Sequence, residues 1–352
     1  MPSLLSQALQ VLRGGRIIMN RISHAYQNII SVENLLSAWE AFLKNKRSRK
    51  DVQAFSVWLM PNIQKLHYEL SKETYSHGGY YAFAISDPKP RQIHKASVRD
   101  RLLHHAIYQV LYPHFDKRFI YDSYSCRFGK GTHRAVDRFK VFVDRATKNH
   151  TKTVWVLKCD VRKFFASIDH EVLFTILERH IEDRQLVALL KNIVQSFNPL
   201  SSKGLPLGNL TSQLLVNIYM NEFDQFMKHA MKVHHYIRYA DDFVVLSTDK
   251  HYLETLLPTI TLFLEETLKL SLHPDKVFIR TIDSGMDFLG WVVFPDHRVL
   301  RTATKKIMLK RLIENQKPET VSSYKGMLSH GNAHKLKCIV DNLLNQTTYK
   351  SS

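Results

Sequence analysis

The chain has 352 residues, 50 Lys and Arg against 32 Asp and Glu, and a formal charge of +18. A chain this long can bury a substantial core without disulfide or zinc staples, and a 44% hydrophobic composition excludes a disordered basic tail. The charge favours a folded protein with a polyanionic partner over an ordinary metabolic enzyme, a solvated basic face being the plainer alternative. Three isolated cysteines, Cys126, Cys159 and Cys338, form no C-x-x-C pair, which argues against a disulfide framework or a zinc site. A reducing, cytoplasmic setting is expected, with no membrane partner, because no run approaches the roughly 18 apolar residues of a span.

Residues 1–50 read as an N-terminal helical extension. Met1 to Asn20 hold an apolar patch, Arg13-Gly14-Gly15-Arg16 and a second methionine, Met19; helical spacing begins only beyond them, at Ile29, Ile30, Leu35, Trp39 and Phe42. A translation start at Met19 is therefore expected, leaving 1–18 untranslated, and an intact Met1 peptide in mass spectrometry would exclude it. A basic run from Lys44 to Lys50 reads as a solvated linker, followed by one helix from Asp51 to Leu70. Tyr80 to Ile85 reads as a strand, Asp87-Pro88-Lys89-Pro90 as a turn and Arg91 to Lys95 as a return strand; Val98 to Phe115 is helical.

Val154 to Asp160, apolar on both faces, reads as a strand covered on both sides. Asp169 is placed to cap a helix from His170 to His180. Gly204 to Gly208 is a tight loop before a helix from Leu210 to Met231, and Tyr236 to Ala240 with Phe243 to Ser247 form a hairpin around Asp241-Asp242. A turn at Pro295-Asp296 precedes a basic helical region, about Ala303 to Gln346. His104-His105 and His234-His235 are not ligand pairs, because adjacent side chains point to different sides; packing and hydrogen bonding, with some help in binding RNA when protonated, is the reading for them.

Asp241 and Asp242 stand between apolar strands that leave little solvated surface for two like charges, a setting that calls for a divalent cation. Asp160 ends the other apolar strand. Bringing the two strand ends together would assemble carboxylates for two Mg²⁺ ions about 3.5–4 Å apart, the arrangement used for in-line phosphoryl transfer.

The blocks around these residues resemble a known family. Tyr239-Ala-Asp-Asp242 is similar to the Y-x-D-D motif of reverse transcriptases, and Asp160-Val-Arg-Lys-Phe-Phe165 to their first palm motif, as in group II intron and related bacterial enzymes. Lys89-Pro-Arg91, Val98-Arg-Asp-Arg101, Gly204 to Gly208, His273-Pro-Asp-Lys276 and Phe288-Leu-Gly290 follow in the family's order, over about residues 50 to 300. The resemblance implies an α+β right-hand polymerase fold: interleaved fingers and palm over 51–299, the palm an antiparallel sheet with covering helices, and a short helical thumb over 300–352. It implies an RNA-directed DNA polymerase acting on template RNA, primer or cDNA and dNTPs.

By the same resemblance Asp160 and Asp241 would ligate two Mg²⁺ ions, with Mn²⁺ as a substitute, and Val161 and Asp242 would stand in the same site. Lys276 would protonate the leaving pyrophosphate. Lys89 and Arg91 would grip the triphosphate, with Arg99 or Arg101 as alternatives. Phe165 would be the ring that excludes a ribose 2′-hydroxyl, while Phe164 packs in the core. Phe288, Leu289, Gly290, Lys305, Lys306, Lys310 and Arg311 would contact nucleic acid, a solvated helix face being the competing reading for the last four.

One departure narrows the resemblance. Most of the family has glutamine before the palm glycine, whereas here Leu207-Gly208 is followed by Ser212-Gln213, a form similar to the reverse transcriptases of diversity-generating retroelements. Those enzymes copy a template RNA with errors at adenines, and Leu207 and Gly208 would then touch the nucleotide. The Tyr324 to Asn332 segment also resembles that group, and a small basic accessory protein is the partner it implies. A domesticated or phage-defence enzyme, or a catalytically silent RNA-binding protein, are the alternatives.

Overall fold

The computed structural model describes residues 21–85, 90–197, 201–314 and 317–348. The expectations for Met1, Met19, Lys89 and most of the 87–90 turn lie outside the described residues. The chain opens with four helices, α1 (Ala25–Ile30), α2 (Val32–Leu43), α3 (Lys50–Val57) and α4 (Leu59–Ser71). The single helix expected from Asp51 to Leu70 is two, broken at Trp58 (φ −114°, ψ 38°). Pro61 explains the break: its ring would collide with the carbonyl of Val57 one turn earlier, and it has no N–H to bond it.

Strands β1 (Tyr81–Ile85) and β2 (Arg91–Lys95) pair antiparallel, Tyr81 opposite Lys95. Helix α5 (Val98–Asp116) begins at a Ser97 cap and α6 (Thr132–Thr147) follows. After β3 (Trp155–Asp160) come the short α7 (Phe164–Ser167), then α8 (His170–His180) and α9 (Arg184–Gln195). The Asp169 side chain accepts from the amides of Glu171 and Val172, the predicted cap of α8. Helix α10 (Leu210–Gln225) widens into one π turn over Phe226–Ala230.

The hairpin β4 (Tyr236–Tyr239) and β5 (Asp242–Ser247) is as expected, followed by α11 (Lys250–Leu268) and β6 (Phe278–Thr281). These strands form an antiparallel four-stranded sheet in the order β4-β5-β3-β6. A three-stranded meander, β7 (Met286–Phe288), β8 (Trp291–Val293) and β9 (Arg298–Leu300), leads to α12 (Thr302–Glu314), α13 (Pro318–Leu328) and α14 (His334–Thr348).

The period-two alternation of strands puts a separate core on each face of the central sheet. Leu157, Cys159, Tyr236, Phe243 and Val245 face the first, which also takes α1, α2 and α4, so the N-terminal helices pack into the same core as the sheet. Val154, Val156, Ile237, Val244 and Leu246 face the second, shared with α6, the meander and the C-terminal helices. Gly331 shows how closely the C-terminal segment sits on the meander. A Cβ there would collide with the Trp291 ring, while the Asn332 amide donates to Arg298 O at 2.9 Å. All three cysteines are free, and among the described residues no helix is long and apolar enough to cross a membrane.

Candidate active site

The register of the sheet sets Asp160, the last residue of β3, directly opposite Asp242, the first of β5. Asp241 sits in the turn just before, and its carbonyl accepts the Val161 amide at 3.0 Å. Two strand ends and one hairpin tip therefore gather three carboxylates at one edge. Burial first, then the neighbouring Asp160 charge, hold the Asp241 carboxyl above the usual carboxylate range. Burial pushes Asp242 up to about 7, against the pull of Lys158, with Asp160 and Asp241 adding to the rise.

Two lysines face this cluster. Lys276 Nζ reaches Asp160 Oδ1 at 2.9 Å and Lys158 Nζ stands 3.4 Å from Asp242 Oδ2. Lys276 is seated by a short 3-10 turn, Pro274–Lys276, which begins where the His273 amide donates to Asp160 O at 2.8 Å. In this arrangement no three His, Cys, Asp or Glu side chains among the described residues converge on one metal position. The donors nevertheless suit a hard divalent cation. All are carboxylate oxygens, Asp242 Oδ1 is buried without a hydrogen-bond partner, and Asp160 and Asp241 repel each other. Val161 forms the non-bonded pair with Leu272, between the bonds from His273 to Asp160 and from Arg162 to Ser271, so its carbonyl is not used in that bridge.

The tip that carries Asp241 is held by a residue the sequence reading missed. Arg238, 0% exposed, donates to Asp224 Oδ1 and Oδ2 at 2.8 and 2.6 Å, to Ser123 Oγ at 3.1 Å and to the Ala240 carbonyl at 3.1 Å. Ala240 lies in the left-handed region (φ 55°). The guanidinium thus clamps the strained residue that turns the chain into Asp241. The available signal was an Arg inside an apolar strand, which needs a buried acid to exist there.

The β1–β2 hairpin meets the same edge. Arg91 at the start of β2 is exposed and close enough to oppose the rise at Asp241. Arg99 and Arg101, offered as alternatives, are engaged elsewhere: Arg99 with Glu69 at 2.9 Å and Arg101 with Asp51 at 2.6 Å. Phe164 is buried and Phe165 half-buried, their rings 5.6 Å apart, on the short helix just after Asp160. The 204–208 loop is tied to β2. Leu207 O accepts the His94 amide at 3.0 Å, and Asn209 Nδ2 donates back to His94 O at 3.2 Å. Gly208 (φ 113°) lies under that strand, where a Cβ would be 2.9 Å from Ile93 Cγ2.

A family model described as reverse transcriptase (RNA-dependent DNA polymerase) matches residues 86–293, which contain all three aspartates. The chain belongs to this family. YkfC of Escherichia coli (strain K12) is 26% identical over 261 residues, covering 62% of this chain and 66% of YkfC. The group II intron-encoded protein LtrA of Lactococcus lactis subsp. cremoris is 22% identical over 295 residues, covering 64% of this chain and 47% of LtrA. The chain thus spans less than two thirds of either relative. Among solved structures, telomerase from Candida albicans in complex with a fragment of telomeric RNA aligns with a TM-score of 0.49 at 11% identity, over 72% of this chain and 55% of that one.

In this member of the reverse transcriptase family the predicted nucleic-acid residues divide. Phe288 is a correction: it is 0% exposed, 5.4 Å from the Phe139 ring in the second core, and presents no surface to a strand. Its packing fixes the turn that follows, where Leu289 (φ 51°) and Gly290 (φ 88°) are half-buried at the surface. Lys305, Lys306, Lys310 and Arg311 are all exposed on α12. At roughly 100° per residue they do not share one face: Lys306 and Lys310 lie together opposite the buried Met308 and Leu312, with Lys305 and Arg311 to either side. Arg311 also reaches the Tyr324 hydroxyl at 3.4 Å.

Proposed function

We propose that this chain extends a DNA primer on an RNA template with dNTPs. The observation that carries the reading is the pairing of Asp160 with the Asp241-Asp242 tip at one sheet edge, where the carboxylates are crowded, desolvated and incompletely bonded. Asp160 and Asp241, with Asp242 and the Val161 carbonyl beside them, would hold divalent ions, Mg²⁺ or Mn²⁺. Bound there, such ions supply Lewis acidity to the attacking primer oxygen and the departing pyrophosphate. Lys276, poised on Asp160, is placed to deliver a proton to the leaving group, and Arg91 offers a charge-assisted donor to the triphosphate. Phe165, backed by Phe164, offers a ring beneath the sugar.

Primer extension with Mg²⁺ and dNTPs on an RNA template tests this reading. Asp241→Asn is expected to reduce extension by about a hundred- to a thousandfold, the scale of losing a principal electrostatic element of such a site. Activity that survives this change, or a wild-type protein that binds RNA and never extends a primer, points to the silent RNA-binding alternative.

Within that activity we infer the error-prone role of a diversity-generating retroelement enzyme. The support is Leu207 in the loop that joins palm to fingers strand, an aliphatic side chain where a glutamine could hydrogen-bond near the base. Base choice there rests on shape and stacking, which discriminate less than a required hydrogen bond. Leu207→Gln is expected to lower misincorporation opposite template adenines about tenfold in sequenced cDNA; an unchanged error spectrum would sink the idea.

A further inference from the structure

The positive charge of the chain is not all gathered around the carboxylates. A cleft of 600 Å³ opens between the C-terminal end of α6, the stretch from the π turn to β4, and the start of α11. It lies at the far end of the hairpin from Asp241. Leu246 donates to His235 O at 3.0 Å beside it, while Asp242 begins the same strand, roughly 13 Å away at about 3.3 Å per residue.

Six cationic side chains line the cleft, Arg138, Arg145, Lys148, Lys152, Lys228 and Lys232, against one carboxylate, Asp122. Arg138 takes both oxygens of Asp122, at 2.8 and 3.3 Å. Lys228 turns inward to the carbonyls of Val233 and His234 at 3.0 and 2.9 Å. Arg145, Lys148, Lys152 and Lys232 are exposed and have no ion-pair partner among the described residues. Four cations therefore converge on one concavity with no acid to answer them.

The backbone holds them there at a cost. Lys148, Asn149 and His150 are three consecutive non-glycine residues in the left-handed region (φ 48°, 55° and 68°), and Lys232 on the opposite wall is a fourth (φ 53°). Lys148 is the left-handed residue that ends α6, its amide bonded back to Arg145 O, and Asn149 and His150 prolong that stop into a tight turn which fixes where Lys148 and Lys152 emerge. Arg145 and Lys148 also answer the negative end of α6, but Lys152 and Lys232 lie beyond its last turn. Between the cations lie the half-buried rings of His235 and Tyr252, with Phe142 buried behind His235, edge-on at 5.1 Å. Burial first, and then the charges of His234, Lys228, Arg145 and Arg138, hold His235 below the ordinary histidine value.

We propose that this cleft is a second nucleic-acid site, which holds the phosphodiester backbone of a single strand of RNA outside the catalytic end. Cations spread along two stretches of chain, 138–152 and 228–232, call for several phosphates at once, as a strand presents and one free phosphate does not. The rings of His235 and Tyr252 suit an unpaired base. A 600 Å³ cleft has the size of a small-molecule site and takes one strand rather than a duplex. The proposal rests on the polymerase reading only in that the bound RNA would be the enzyme's own template, continuing past the copied stretch.

The test uses the full chain carrying Lys148→Gln, Lys152→Gln and Lys232→Gln together, all on exposed loops. Fluorescence anisotropy with a labelled oligo(rU) strand over a salt series should show at least a tenfold loss of affinity. The slope of log affinity against log salt should fall by about 2, three contacts at roughly 0.7 each. Extension of a short, pre-annealed template and primer should stay within twofold of wild type. An unchanged slope and affinity overturns the proposal, as does an equal loss in short-duplex extension, which would assign the lysines to the catalytic groove. A variant that loses only inorganic tripolyphosphate binding by calorimetry also overturns it, in favour of a small-anion pocket. If the wild-type chain fails to extend any primer, the polymerase reading falls while the anisotropy still decides the cleft.

Discussion

Arg238 with Asp224 and Lys276 with Asp160 are both ion pairs of the central sheet, at 2.6 and 2.9 Å, yet they handle charge in opposite ways. Arg238 and Asp224 are both wholly buried, and the Tyr236 hydroxyl, Ser123 Oγ and the Ala240 carbonyl complete their hydrogen bonds. Lys276 is 42% exposed, and the carboxylates beyond it are left repelling one another, with one oxygen unbonded. The difference separates scaffold from site. Where every donor and acceptor is answered, the charge fixes geometry; where carboxylates are desolvated and unanswered, the fold is holding them for something that is not protein.

The largest expected effect tests the scaffold half. Arg238→Ala leaves Asp224 buried and short of a cation, which should cost about 3–5 kcal/mol in urea unfolding. A loss below about 1 kcal/mol would place this pair in the same class as the exposed one. Lys276→Ala should do the reverse. Stability should change by less than about 1 kcal/mol, while extension falls about a hundredfold, the lower range for a lost proton donor. A Lys276→Ala protein that unfolds, or that keeps its rate, erases the contrast.

A third kind of buried group is neutral. His104 is buried on α5 with its Nε2 3.1 Å from His77 Nε2, and burial takes it down to about 3. In the unfolded chain the same imidazole takes up a proton near 6.5. Stability is therefore full above that pH and declines as pH falls from about 6.5 toward 3. At pH 5 the loss from His104 alone is about 2 kcal/mol. His104→Gln should flatten the decline between pH 7 and 5 in thermal unfolding; an unaltered decline would assign the acid sensitivity to other histidines.

Local features were the legible ones. The Asp169 cap, the hairpin around Asp241-Asp242 and the strand ending at Asp160 each depend on a few neighbouring residues, and each stands as the sequence reads. The break at Trp58 was also readable, since Pro61 announces it one turn ahead. What could not be read depends on distant partners. Phe288 looked like a surface residue until the meander packed it on Phe139, 149 residues earlier in the chain. Lys158 reaches Asp242 only because β3 and β5 pair in one register rather than the next. Arg99 and Arg101 are engaged by acids on α4 and at the start of α3. Site chemistry was visible in residue types, and the division of labour among the cations was not.

The attachment of His94 has a mechanical consequence. Its amide and its carbonyl are both bonded to the loop at Leu207 and Asn209, so one residue of β2 is riveted front and back to the segment that would face the incoming base. The hairpin that carries Arg91 cannot swing without dragging that loop, nor can the loop relax without tilting the hairpin. On the proposed function, closing on a triphosphate and judging a base would be one movement, and a substitution at Leu207 would alter the hinge together with the gauge.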